Sequence, residues 1–191
     1  MAFIYAGDDL LSYTVSRAVQ LAQRSLTCAV CAASKSRGAT PRSEESHLST
    51  SDPGIIARGV FAEIAKRFPS LKMVENHGEP VEISVTMPVQ PGLAHEVWLC
   101  LQNGDELGFS TGHFYCEWFP CTKSDRAQNY LDVVTGFLSG KYRILEHYRG
   151  AKCYNAQLQK PEGEHWRTIA NWATIWIPFW LRRTVKEVRN S

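Results

Sequence analysis

Few residues in this chain have types and spacings that could carry chemistry. Cys28-x-x-Cys31 places two thiols at the spacing that grips one metal ion or closes a small disulfide. His113, Cys116 and Cys121 would supply the second half of such a zinc site, or a thiol nucleophile with its base, Glu117 or Asp125 orienting that base. His113 and Cys116 are an odd number of residues apart, so on one regular strand they project to opposite faces, whereas His113 with Cys121 stays geometrically open. The plainer alternative makes Cys28 and Cys31 small side chains on an alanine-rich helix, and Cys100 and Cys116 small hydrophobes in strands. Glu96, Glu106 and Glu117, with His95 and His147, offer acid-base groups, and Glu117 between Cys116 and Trp118 would be partly buried with a raised pKa. No two carboxylates have a spacing that forces them into one cleft, so no catalytic set, resident metal or cofactor is assigned. At the C-terminal end a tryptophan-rich stretch runs into Leu181-Arg182-Arg183, Lys186 and Arg189. Aromatics followed by cations can rest at a membrane interface. The favoured expectation is a core helix with cations near its negative end.

The chain has 191 residues, enough for one domain of ordinary size. Hydrophobic residues at 44% and charged residues at 21% are globular values, which excludes global disorder. A formal net charge of +2 gives no general electrostatic reason to expect nucleic acid as a partner. Six cysteines are too sparse for a disulfide-built scaffold, so reduced thiols are expected. The longest apolar candidate, Ile169 to Leu181, is interrupted by Asn171, Thr174 and Pro178, so no membrane span is predicted. Asp8 and Asp9 stand directly ahead of Leu10 and Leu11, unlike the basic start of a secretory signal, which favours a cytoplasmic location. From Leu10 to Ser43 the chain carries Arg17, Arg24, Lys35, Arg37 and Arg42 and no acidic residue. That composition is shared with organelle transit peptides; the favoured expectation is an amphipathic helix with Leu11, Val15, Ala18, Ala22 and Leu26 on one side.

The elements that must position these groups follow from periodicity. Residues 1–33 are predicted as an N-terminal helix and 34–54 as a flexible linker, because Leu48 is the one large apolar side chain between Ser34 and Gly54. An α+β core spans 55–191. In it Ile56, Val60, Phe61, Ile64 and Phe68 recur at helical spacing, closed by Pro69. Three strands follow: Val81 to Met87, Val97 to Leu101, and Leu107 to Trp118. A helix capped by Ser124 or Asp125 runs to Gly140, then a hairpin of Tyr142–Tyr148 and Lys152–Leu158 turns on Arg149-Gly150. Glu164 to about Ile177 is predicted as a last helix. The expected fold is a five-stranded antiparallel sheet with helices on one face.

Asn103-Gly104 predicts a two-residue type I′ turn, which sets Trp98 opposite Phe109, Cys100 opposite Leu107, Leu99 opposite Gly108 and Glu96 opposite Thr111. One face then carries Gly108 and Gly112, where a helix approaches closely. The other carries Trp98, Phe109 and Tyr115. The order helix, three strands, helix, two strands, helix resembles the type III secretion chaperone-like fold over roughly Ile55 to Phe179. That resemblance implies a dimeric, non-enzymatic protein that binds its partner in extended form; toxin-neutralising immunity proteins share the size and α+β character. The expected function is therefore chaperone-like or immunity-type protein binding, to a partner or to itself, through Trp98, Phe109 and Tyr115. The alternative is a cysteine/histidine enzyme or zinc protein using His113, Cys116 and Cys121. Limited proteolysis is expected to cut first within the linker, and a core fragment lost before any linker cut appears would contradict this boundary.

Overall fold

Asp52 begins the first element: its side chain accepts from the Gly54 N–H at 2.8 Å, and Pro53 occupies the first turn of helix α1, Pro53–Arg67. Asp52-Pro53-Gly54 is thus a helix start and not the end of a linker. Ala57, Phe61 and Ile64 form its buried stripe. The structure is a computed structural model that describes residues 52–174 and 180–190. The helix expected over 1–33, Cys28, Cys31, the rest of the linker and Trp176 lie outside the described residues.

The protein is α+β, with two helices and antiparallel sheets of five and four strands among the described residues. The first sheet is a meander of β1 (Val74–Asn76), β2 (Ile83–Met87), β3 (Val97–Gln102), β4 (Glu106–Thr111) and β5 (Phe114–Trp118), paired in that order. Strand β1 is too short and too exposed to show alternation. Asn76 fastens it by donating to Ser84 Oγ at 3.0 Å and Thr86 Oγ1 at 2.8 Å.

The β3–β4 loop corrects the expected register. Asn103 and Gly104 do take positive φ, 52° and 82°, yet Gln102 pairs with Glu106, so Asp105 is a third loop residue. Asp105 is retained there because its carbonyl and its Oδ1 both accept from the Cys121 N–H, at 2.9 and 3.0 Å. One added residue moves every β4 side chain to the opposite face. Phe109 lies opposite Leu99, Gly108 opposite Cys100, and Trp98 opposite Ser110. Gly108 therefore relieves the face away from the helices: a Cβ there would stand 2.5 Å from Cys100 Sγ and 2.8 Å from the Tyr115 hydroxyl. The predicted single strand from Leu107 to Trp118 also breaks, at Gly112 (φ 55°), into two strands joined by Gly112-His113.

Helix α2, Ser124–Leu138, packs with α1 on the face that carries Leu99, Leu107 and Phe109. Its N-cap position is Lys123, not Ser124 or Asp125, and makes no side-chain cap. Phe109 meets Phe137 at 5.7 Å between ring centroids, Tyr130 meets Trp118 edge-on at 5.2 Å, and the Tyr130 hydroxyl donates to the Gly108 carbonyl at 3.1 Å.

The second sheet has the order β8-β7-β6-β9. Its strands are β6 (Arg143–Arg149), β7 (Lys152–Glu162), β8 (His165–Ala173) and β9 (Arg183–Val188). Its inner residues Ile144, Ala156, Leu158 and Val188 join the same core as the first sheet. The predicted last helix is thus strand β8. A register shift at Leu158/Gln159 leaves Ile169 as the extra residue. The bulge puts Ile169, Ala170 and Trp172 against the core while Trp166 lies under the Arg143 guanidinium, 4.1 Å away. Broken alternation of that kind imitates helical spacing. Asn190 closes the unit: its amide donates to the Leu138 carbonyl at 2.6 Å and the Gly92 carbonyl at 2.8 Å, and its oxygen accepts from the Ala94 N–H at 2.8 Å.

If the register is as described, Phe109→Ala costs roughly 3 to 5 kcal/mol in chemical denaturation, the range for a buried aromatic. A cost under about 0.5 kcal/mol, as at a surface site, would restore the expected register.

Candidate functional site

The residues expected to act together are separated by the fold. Phe109 is fully buried between Leu99 and the helices, so it is a core residue and not part of an interaction face. Trp98 and Tyr115 do share the opposite face, with ring centroids 6.5 Å apart. Trp98 is itself buried, and its Nε1–H donates to Ser84 Oγ at 2.8 Å and Glu79 Oε2 at 3.1 Å. His113, Cys116 and Cys121 go to three different settings. The Cys121 N–H is held by Asp105, the Cys116 thiol reaches the Glu117 carbonyl at 3.9 Å, and His113 is engaged by Glu146. Among the described residues no group of three or more His, Cys, Asp or Glu side chains could hold a metal ion. Burial pushes the thiols of Cys116 and Cys121 up to about 11, the Glu117 and Asp105 charges adding to it. Such thiols are almost wholly protonated at neutral pH and poor nucleophiles. Glu117 is exposed and accepts from Gln102 Nε2 at 3.1 Å.

The most organised cluster of ionisable groups instead surrounds Glu146, in the middle of β6. Ile144, Glu146 and Tyr148 alternate onto the inner face of the second sheet, so the carboxylate is carried into the core, with 1% of its side chain exposed. Its partners are His113, from the turn between β4 and β5, and Tyr148 of its own strand. The His113 N–H donates to Glu146 Oε1 at 2.7 Å and the Tyr148 hydroxyl to Oε2 at 2.6 Å. His113 Nδ1 lies 3.3 Å from Oε1 and 3.2 Å from the Tyr148 oxygen. Since the tyrosine proton goes to Glu146, both neighbours of Nδ1 are acceptors, so Nδ1 carries a proton. Gly112 permits the approach, because a Cβ at that position would fall 2.5 Å from Oε1.

The electrostatics follow from these bonds. Burial alone would raise the Glu146 pKa, but hydrogen bonds from the His113 ring, the Tyr148 hydroxyl and the His113 N–H, with the His113 charge, hold it at about 2. Burial and then the Glu146 charge push Cys153 up to about 12, and burial with the bond to Glu146 raises Tyr148 further above its ordinary value. His95 is lowered by burial and by Lys186, against the pull of Glu146. A carboxylate-oriented imidazole is the pairing used for general-base chemistry, and 41% of the His113 side chain is exposed. The nearest thiol in the register, Cys153, is buried and donates to the Asn155 carbonyl at 3.5 Å, so it is not an activated nucleophile for the pair.

Glu146 escaped the sequence analysis because a lone glutamate in an alternating strand reads as a solvent-facing position. Its spacing of two from Ile144 and from Tyr148 was the available signal. No protein-family model, curated protein or solved structure matches the chain.

The depressed Glu146 pKa makes a pH prediction. Its ionised form stabilises the fold fully above the unfolded value near 4.5, and this is lost as pH falls toward about 2. The shift corresponds to roughly 3 kcal/mol. Denaturation curves at pH 7, 5 and 3 should show Glu146→Gln destabilised by about that amount at pH 7, with a flatter dependence than the wild type below pH 5. Parallel pH dependences would show that Glu146 is not the group. Gly112→Ala is expected to cost roughly 2 to 4 kcal/mol through its left-handed φ and its overlap with the carboxylate.

Proposed function

We propose that this chain is a non-enzymatic protein-binding module that takes an acidic partner on the rim where β9 begins. One observation carries the reading: Trp180 is 78% exposed, with Leu181 and Val185 also exposed beside it, next to the exposed cations Arg182, Arg183 and Lys186. An exposed tryptophan with arginines beside it is the composition that dominates binding energy at protein interfaces. None of these three cations forms an ion pair among the described residues. Strand β9 is the outer strand of its sheet, so the rim is reachable along one side.

The rim is also held in place before any partner arrives. The Gly150 N–H donates to the Arg182 carbonyl at 3.0 Å, and Arg149 Nη1 donates to the Leu181 carbonyl at 3.1 Å. Leu181 lies over Gly150, where a Cβ would stand 2.9 Å from its Cδ1. Preorganised backbone reduces the ordering entropy that binding must overcome. A second copy fits less well, because a two-fold contact would set this cationic patch against itself. A membrane surface fits less well too, since the rim lies on a strand and not on an amphipathic helix. Chaperone-like and immunity-type roles both need a protein partner, and thiols held at about 11 do not favour the cysteine-based alternative.

The test is affinity capture from the source cells with wild type and with the double variant Trp180→Ser/Arg182→Glu, folding being checked by circular dichroism. An acidic protein retained by the wild type should bind the variant about 30-fold or more weakly. Equal retention by a folded variant would remove the rim as the site. Binding to anionic phospholipid vesicles in place of a protein, or concentration-dependent dimerisation abolished by the variant, would reassign it.

A further inference from the structure

The outer face of the second sheet carries a hollow that none of the contacts described so far explains. It measures about 250 Å³ and is lined by His147, Tyr154, Asn155, Gln157, Thr174 and Arg183. Two departures from a regular sheet make it. A register shift in β6–β7 pairs His147 with Asn155 and Tyr148 with Cys153, so Tyr154 is an extra residue. The bulge brings Tyr154 and Asn155 to the same side, and the Tyr154 ring settles 6.2 Å from that of His147. Strand β9, paired to the other side of β6, contributes Arg183 from the position opposite Arg149, two residues along from His147 and on the same face.

His147 marks the hollow as a binding site. Both its ring nitrogens are buried and neither has a hydrogen-bond partner. A neutral imidazole has one donor and one acceptor, and leaving both unmet is a desolvation cost that folded proteins rarely carry without a reason. Asn155 gives one N–H of its amide to Asn171 Oδ1 at 2.7 Å, and neither of its polar atoms is bonded to the ring. Among the lining residues Arg183 is the charged one and there is no carboxylate, so a cation is disfavoured and an oxyanion favoured. The volume is below that of drug-sized pockets and suits one side-chain-sized group.

We infer that this hollow binds a carboxylate, that of an aspartate or glutamate side chain of the partner, with Arg183 forking onto its oxygens and the His147 ring, whose nitrogens are covered in the free chain, turning to donate to it. The inference rests on the proposed acidic partner and specifies where one of its acidic groups goes. Arg183 belongs to both the rim and the hollow, so docking on Trp180 and seating the carboxylate are adjacent parts of one contact.

The experiment needs no partner. The probes are the capped tripeptides acetyl-Gly-Glu-Gly-amide and acetyl-Gly-Gln-Gly-amide, and inorganic phosphate, added to the full chain while the His147 ring protons are followed by NMR, assigned with His147→Gln. The glutamate peptide should give a saturable shift, the glutamine peptide none, and Arg183→Gln should weaken the response about tenfold or more. An unmoved His147 signal, equal shifts from both peptides, or an unchanged response in Arg183→Gln would overturn the site. Phosphate binding more tightly than the glutamate peptide would overturn the carboxylate assignment. A second reading uses stability: His147→Leu replaces two unmet polar atoms by apolar ones and should melt at or above the wild-type temperature. A marked fall would mean that the ring is already satisfied in the folded chain. Loss of peptide binding with the Trp180-dependent partner retained would remove the hollow alone; the reverse would remove the proposed function alone.

Discussion

A carboxylate taken out of water must be met by donors or give up its charge, and Glu146 sets that condition at the seam between the two sheets. The carboxylate belongs to β6, while two of the groups that meet it, the backbone N–H and ring of His113, belong to the β4–β5 turn. Neither sheet can therefore satisfy its own part of the seam alone. Gly112 supplies the missing Cβ that lets the turn close on the carboxylate, and Tyr148 fills the remaining oxygen from the same strand. The apolar residues Ile144 and Val188, beside this cluster on the inner face, complete the core that the first sheet and the helices begin. Burial of those residues is non-directional. The hydrogen bonds to Glu146 are what fix one orientation of the second sheet.

Much of this was legible in the chain. The stripe of α1, the helix from Ser124, the hairpin on Arg149-Gly150 and the α+β class follow from periodicity and turn residues. What was not legible depends on single residues whose effect is non-local. Asp105 looks like the first residue of a strand, yet a bond to Cys121, 16 positions later, keeps it in the loop and turns Phe109 inward. Tyr154 and Ile169 are ordinary strand residues by composition; as bulges they shift the phase of everything after them. Periodicity reports the face of a side chain only while the ladder is regular, and here it is interrupted in both sheets.

The same irregularities decide where polar groups can sit. In the first sheet the added loop residue brings Gly108 and Ser110 to the face of Trp98, whose indole Ser84 and Glu79 satisfy. In the second, the bulge at Tyr154 widens the outer face around His147 without supplying a partner for its ring. An interaction surface read from alternation alone falls on the wrong residues, because the register that defines it is set elsewhere.

Strand β9 pairs with β6 across an interval that contains all of β7 and β8, and Asn190 reaches back 96 and 98 positions to Ala94 and Gly92. Contacts so remote in sequence form late, since the closure entropy of the intervening chain must be met first. Until β9 arrives, the outer edge of β6 presents its backbone donors and acceptors unpaired, beside the carboxylate that the fold has to enclose. An equivalent β9 from a neighbouring molecule satisfies that edge equally well. Strand exchange between chains during folding at high concentration is therefore the misassembly to which this topology is open.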